Sequence, residues 1–312
     1  MPSRRRADAL IRDVIRGQAL QAPDNKPFHL VVNVRYTYAG ATAVGKYELL
    51  WAAADRFREN FRMDDAVETD MALGKKIYIF RNTPTLTPQF LHVRNLVKNP
   101  LELFLGLGFR VDQIYFGGTA GQASDCIALS KNQKDTVCLD PTTDAPSAVH
   151  FHRGSASTPF SLEEHDFLNV GALQYPRQIT EDNGEEAIQI EVETLEKVTA
   201  FAPEVFQPVA KSVVRDWCPR PKLGYSFTSL PFPRTNPVGL YYPFYLLTGT
   251  DGHIKKFIPL RSSTPPISPA VAKWIREAQF PIFVCGSVPL EDEQLFMYPF
   301  RITKLYQIQG DR

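Results

Sequence analysis

The chain has 312 residues, 44% of them apolar and 22% charged, with 35 Lys and Arg against 34 Asp and Glu. That length allows two domains and a sizeable core, and the near-zero net charge argues against nucleic acid as the main partner. No window approaches the ~20 apolar residues of a membrane-spanning helix.

The opening Met1-Pro-Ser-Arg-Arg-Arg6 is basic, like the start of an export signal, but no apolar stretch follows it. Two expectations stay open: a cytoplasmic chain, or a true start upstream of Met1. Residues 7–21 predict an amphipathic helix. Leu10, Ile11, Val14, Ile15 and Ala19 form one face, Arg12, Asp13 and Arg16 the other, and Pro23-Asp24 stops it. From Phe28 the period changes to two. Phe28, Leu30, Val32, Val34, Tyr36 and Tyr38 alternate with His29, Asn33, Arg35 and Thr37, a strand with one wet face. Ala39-Gly40 is read as a turn.

Strands are predicted next at 45–51 and 56–63, where Phe57, Phe61 and Met63 oppose Arg56, Arg58, Asn60 and Arg62. A strand at 76–81 follows Gly74. Thr87-Pro88 opens a helix to about residue 99, and the Gly-broken apolar run 101–109 is expected to plug the core. Further strands are predicted at 111–116, 124–130, 136–139, 148–152, 165–170, 173–180 and 187–195. Asn183-Gly184 is a hairpin turn before the last. Short turns between successive strands give an antiparallel meander. Prolines crowd between Pro203 and Pro237, and residues 208–237 are expected to be a linker.

If the turn lies at Lys131-Asn132-Gln133, Cys126 and Cys138 face each other across a hairpin. A non-hydrogen-bonded pair there is close enough for a bridge, worth roughly 3 kcal/mol. The alternative is four buried free thiols. Cys218 and Cys285 can pair across the linker, but spacing does not show it. Without a C-x-x-C, no zinc ribbon or thioredoxin-like motif is expected.

Tyr47-Glu-Leu-Leu-Trp51, then Asp55-Arg-Phe-Arg58, then Gly74-Lys-Lys-Ile-Tyr-Ile-Phe80, resembles the early strands of periplasmic carriers of the LolA/LppX superfamily. The Cys126 to Cys138 hairpin with Leu139-Asp140-Pro141, and Tyr175-Pro-Arg-Gln-Ile179, fit the same plan. The resemblance covers roughly residues 7–207. It implies an antiparallel half-barrel closed on one side by helices, with an apolar face that receives a lipid or a lipoprotein acyl chain. Tyr47, Leu49, Trp51, Phe57, Phe61 and Tyr78 are the lining candidates; plain core is the alternative for each.

From residue 238 a second module begins. A hairpin is predicted over 238–248 and 253–260 around Thr250-Asp251-Gly252. Ser268-Pro269 then supplies an N-cap and an N1 proline for a short helix buried through Val271, Trp274, Ile275 and Ala278. Phe280-Pro281, Gly286-Ser-Val-Pro289 and a last strand at 295–303 complete a unit that resembles TonB C-terminal domains. That resemblance implies docking of an outer-membrane protein by strand addition along the edge carrying Leu295, Met297, Phe300 and Ile302. Pro299 removes one ladder donor from it. With no anchor or spacer in this sequence, a docking module is expected rather than an energy transducer of membrane transport.

The search for chemistry yields less. His150-Phe-His152 and the later His165-Asp166 offer zinc or copper ligands, but a solvated strand face is the expected reading and no metal is expected. Gly117-Gly-Thr-Ala-Gly121 lacks the Lys-Ser/Thr of a phosphate loop and reads as a turn. Arg56, Arg58 and Arg62 line one strand face and can meet lipid headgroups, though solvation is the simpler role. Glu163-Glu164 and Glu291-Asp-Glu293 read as loop charges. No G-x-S-x-G frames a serine. No catalytic residue and no cofactor are expected. The sequence therefore predicts an α+β, non-catalytic protein of the periplasm or cell envelope: a half-barrel over 1–207, a linker over 208–237 and a TonB-like unit over 238–312. A purely structural interaction protein with a self-filled core is the alternative.

Overall fold

The computed structural model describes residues 4–22, 24–38, 40–83, 93–94, 96–98, 100–101, 113–115, 125–128, 136–140, 145–155, 158–182, 184, 186–218, 222–223, 241–259, 269–280 and 282–299. Helix α1 (Arg4–Gln18) leads into five consecutive strands: β1 (Phe28–Tyr38), β2 (Ala41–Ala53), β3 (Arg56–Met63), β4 (Ala66–Leu73) and β5 (Lys76–Arg81). Helical residues 93–94 and 96–98 follow. The chain then forms β6 (Gln113–Tyr115), β7 (Asp125–Ala128), β8 (Thr136–Leu139), β9 (Pro146–Ser155), β10 (Thr158–Val170), β11 (Leu173–Asp182) and β12 (Glu186–Lys197). After a 3₁₀ turn (Pro203–Phe206) comes β13 (Val213–Asp216).

These thirteen strands form one antiparallel sheet in the order β13-β5-β4-β3-β2-β1-β12-β11-β10-β9-β8-β7-β6. It is open, with β13 and β6 at its edges. β1 sits near the middle because its whole length pairs with both β2 and β12. β1 to β5 precede the 93–101 segment in the chain and β6 to β13 follow it, with β13 returning to extend the β5 edge.

The alternation in β1 is the cleanest case of sequence setting structure. Phe28, Leu30, Val32, Val34 and Tyr36 are buried, while Asn33 and Arg35 are exposed. The bounds of β1, β3, β5 and β8 are those read from sequence. β2 runs longer than expected, and β4 was not expected. It is hidden because Glu68, Thr69 and Asp70 interrupt the apolar pattern, yet all three are buried. The linker expectation is corrected in part: Val213–Asp216 pairs with β5 as an edge strand. The loop reading of the acidic pairs is also corrected, since Glu163 and Glu164 lie within β10 and Glu293 within β19 (Asp292–Pro299).

The C-terminal part contains two small sheets. β14 (Lys222–Leu223), β17 (Phe283–Cys285) and β18 (Val288–Leu290) form one, in the order β14-β17-β18. β16 (Ile254–Pro259), β15 (Tyr241–Thr248) and β19 form the other, in the order β16-β15-β19. Helix α2 (Pro269–Glu277) lies between β16 and β17 in the chain, with Ile275 and Ala278 buried. At the β15–β16 turn Gly252 has φ +79°, and its carbonyl accepts a 2.8 Å bond from Phe280 N–H. A Cβ there would stand 2.4 Å from Phe280 O, so only glycine fits. Both cysteine pairs are bridged: Cys126 with Cys138, in register across β7 and β8, and Cys218 with Cys285.

Candidate functional site

One face of the large sheet carries a continuous block of large, buried apolar side chains. Register rows place Phe28, Trp51 and Phe57 together, then Leu30 and Leu49, then Val32, Tyr47 and Phe61. The first row stacks: Phe28 and Trp51 centroids are 6.3 Å apart, Trp51 and Phe57 5.6 Å. Burying each such side chain contributes about 1.5–3 kcal/mol, and ring stacking adds about 0.5–1.5 kcal/mol per pair.

This places five of the six lining candidates side by side: Tyr47, Leu49, Trp51, Phe57 and Phe61, none more than 2% exposed. Tyr78 is the correction. Its register partners are Met71 and Val214, and Met71 pairs with Arg58, which puts Tyr78 on the opposite face. The reason is the strict period of two: Ile77 and Ile79, not Tyr78, continue the rows of Phe57 and Leu49.

The apolar face is covered by residues of the same chain. Ile11 and Val14 of α1, with Val93, Leu96, Val97 and Leu101, belong to the same buried cluster as Tyr47 and Trp51. The rest of the expected plug, 102–109, and the start of the expected helix, 87–92, lie outside the described residues, as do 117–121 and 131–133.

Polar bonds add to this apolar packing of the cover. Arg94 Nη1 donates to Glu68 Oε1 at 2.7 Å and Asp70 Oδ2 at 3.0 Å. Lys98 Nζ lies 2.8 Å from Glu59 Oε1, which also accepts from Gln21 Nε2. Tyr175 Oη donates to Val97 O at 2.7 Å, and Leu20 N–H to Lys98 O at 3.2 Å. The network runs on into the C-terminal part. Arg81 Nε donates to Glu68 Oε2 at 3.1 Å and its Nη2 to Glu293 Oε2 at 2.8 Å, while Arg215 Nη1 donates to Glu293 Oε1 at 2.6 Å. Glu59, Glu68, Asp70 and Glu293 thus face Arg81, Arg94, Lys98 and Arg215.

These charges sit away from water, and their proton affinities show it. Burial and then the Asp70 charge push the Glu68 carboxyl up to about 7, against the pull of Arg94 and Arg81. Burial works to lower Arg94, but Glu68 and Asp70 outweigh it and raise its value. Four interior polar atoms around the cover have no hydrogen-bond partner: Tyr47 Oη, Glu59 Oε2, Asp70 Oδ1 and Arg94 Nε. Sequence reasoning missed this network. The three acids at 59, 68 and 70 come together on the covered face only through the pairing of β3 with β4.

A second buried acid stands across the sheet. Glu164 Oε2 accepts from Gln18 Nε2 of α1 at 2.6 Å. Burial pushes its carboxyl up to about 8, and the Gln18 bond offsets that only partly. Gln18 Oε1 and Glu164 Oε1 both lack a donor; a proton on Glu164 supplies one.

On the C-terminal edge, Leu295 and Met297 fall within β19, which pairs with β15. Their side chains, and Phe300 and Ile302 altogether, lie outside the described residues.

No protein-family model matches the chain, and no curated protein does. Solved structures give weak matches. A LolA superfamily protein from Nitrosomonas europaea is 12% identical, with 64% of this chain and 97% of that chain covered and a TM-score of 0.36. A chain of the Pseudomonas aeruginosa MucA/MucB complex is 14% identical, with 71% and 70% covered and a TM-score of 0.32. Likeness at that level assigns neither a family nor an activity. No described helix is long and apolar enough to cross a membrane.

Proposed function

We propose that this is a non-catalytic cell-envelope protein that binds a lipophilic ligand on the apolar face of its large sheet and docks a protein partner through its C-terminal part. The observation that carries the first half is the construction of the cover. Among the described residues, a wide aromatic face is closed by one helix and a short segment, and that segment is held by ion pairs and hydrogen bonds as well as by its buried apolar side chains. Such a cover can lift without unpairing the strands beneath. The partnerless Tyr47 Oη and Arg94 Nε are donors for the polar head of an acyl-chain ligand; Glu59 Oε2 and Asp70 Oδ1 are acceptors. Tyr47, Leu49, Trp51, Phe57 and Phe61 would line the chain's path.

The second half of the reading rests on β19. Among the described residues it pairs on one side only, with β15, an edge of the kind that accepts an added strand. A TonB-like docking unit that engages an outer-membrane protein is the form we favour; energy transduction is not part of the proposal. Two disulfides support an oxidising compartment such as the periplasm.

The test is native mass spectrometry of protein purified from its own envelope fraction, before and after organic extraction, with uptake of a fluorescent fatty acid measured alongside. Near-stoichiometric lipid, with uptake weakened by Trp51→Ala and Phe61→Ala, is the expected result. Finding neither lipid nor uptake would leave the second reading, an interaction protein whose apolar face is filled by itself. The observation favouring that one is the complete burial of Tyr47 and Leu49 in one cluster with Leu96 and Leu101, all at 0% exposure.

A further inference from the structure

We propose that His150, Glu163 and His165 form a binding site for a divalent first-row transition-metal ion on the polar face of the large sheet. Antiparallel pairing of β9 with β10 sets His150 opposite Glu163, and Ala148 opposite His165. Directly opposed residues share a face, and so do residues two apart on one strand. The three side chains therefore leave the same face from neighbouring strands. Their donor atoms all lie within 4.8 Å of one another, and each residue is half-buried. The imidazole centroids are 5.3 Å apart, and His165 Nε2 lies 3.7 Å from Glu163 Oε2.

Two imidazoles and a carboxylate are the nitrogen and oxygen donor set that suits zinc and its neighbours. With bonds of about 2.0–2.1 Å, ligand atoms around a tetrahedral ion stand roughly 3.4 Å apart. Side-chain rotation alone closes the remaining gap, because the paired strands already fix the spacing of the backbone. Three protein ligands leave a fourth position open. The β11 partners of His165 and Glu163 are Gln178 and Thr180, and both line a cleft of about 770 Å³ on this face. Water or a cleft-bound anion can take the open position. The ion would tie β9 to β10, as the Cys126–Cys138 bridge ties β7 to β8.

The sequence pointed to a different set. It grouped His150 with His152 and the later His165-Asp166, and took Glu163 for a loop charge. The cross-strand register keeps His150 and His165 and brings in Glu163 in place of His152.

The test is a Zn²⁺ titration of the full chain in competition with a chromophoric chelator. One ion per chain is expected. His150→Ala, His165→Ala and Glu163→Gln should each weaken binding at least tenfold, while His253→Ala, exposed near the β15–β16 turn, should leave it unchanged. No binding by the wild-type protein, or binding undiminished in the His150→Ala, His165→Ala double variant, would overturn the proposal. A second readout needs no variant. Zn²⁺ should shift the imidazole ring-proton NMR signals of His150 and His165 and leave those of His253 in place; unmoved signals at 150 and 165 would also overturn it.

Discussion

Replacing Glu164 by Gln should flatten part of the pH dependence of stability. Glu164 is fully buried, and its carboxyl is held at about 8 in the folded chain against an ordinary 4.5. The folded state therefore binds this proton more tightly than the unfolded state. Stability is fully present below about pH 4.5 and falls as pH rises toward 8, because the unfolded chain's carboxyl ionises while the buried one keeps its proton. Each pH unit in that window costs about 1.4 kcal/mol, so the whole interval costs about 5 kcal/mol and pH 7 alone about 3. The glutamine amide mimics the protonated acid: it has the same shape, carries no charge and brings a donor to the oxygen of Gln18. Urea unfolding at pH 5, 6.5 and 8 is the assay. Glu68 contributes a slope of the same sign up to its own value of about 7, so the informative quantity is the difference between wild type and variant. That difference should grow by about 1.4 kcal/mol per unit and stop growing near pH 8. Parallel profiles for the two proteins would refute the reasoning, whatever their absolute levels.

Further expectations follow from the same contacts. Arg94→Met leaves Asp70 without its ion-pair partner and Glu68 with Arg81 alone, and should cost about 3–5 kcal/mol in urea unfolding at neutral pH. Trp51→Ala opens a cavity between Phe28 and Phe57 and should cost about 3–5 kcal/mol, read the same way. Reducing the two disulfides one at a time through Cys→Ala pairs should cost roughly 3 kcal/mol for Cys126–Cys138. The longer Cys218–Cys285 loop, with a separation of 67 residues, should cost about 4 kcal/mol. Glu293→Ala removes the shared acceptor of Arg81 and Arg215 and should speed hydrogen exchange in β19 more than in β1.

Strand positions were legible where one face is apolar and the other wet. β1, β3 and β12 declare themselves through alternation, whereas the Cys126–Cys138 pair could be read only by assuming a turn at 131–133. β4 was illegible for a physical reason: its inward positions carry Glu68 and Asp70, whose burial is made tolerable by arginines 13 and 24 residues further on. Local pattern contains no trace of partners so far along the chain. Glu164 hid in the same way behind Gln18 of α1. Tyr78 was misplaced because an aromatic residue in a strand looks like core on either face, and only the register decides. β13 lay in a proline-rich stretch whose composition says linker, while its four residues extend a sheet edge begun far upstream. Of the candidate site, the aromatic floor could be read from residues 47–61. The ionic fastening of the cover could not, because it exists only once β3, β4 and the 93–98 segment meet.

Hydrogen exchange with and without a saturating fatty acid tests the central claim most directly. If the ligand replaces the cover on the aromatic face, the amides of Leu96, Val97 and Leu101 should lose protection when it binds, while β1 and β2 keep theirs. Binding that leaves those three amides as protected as before, or no binding at all, would contradict the account.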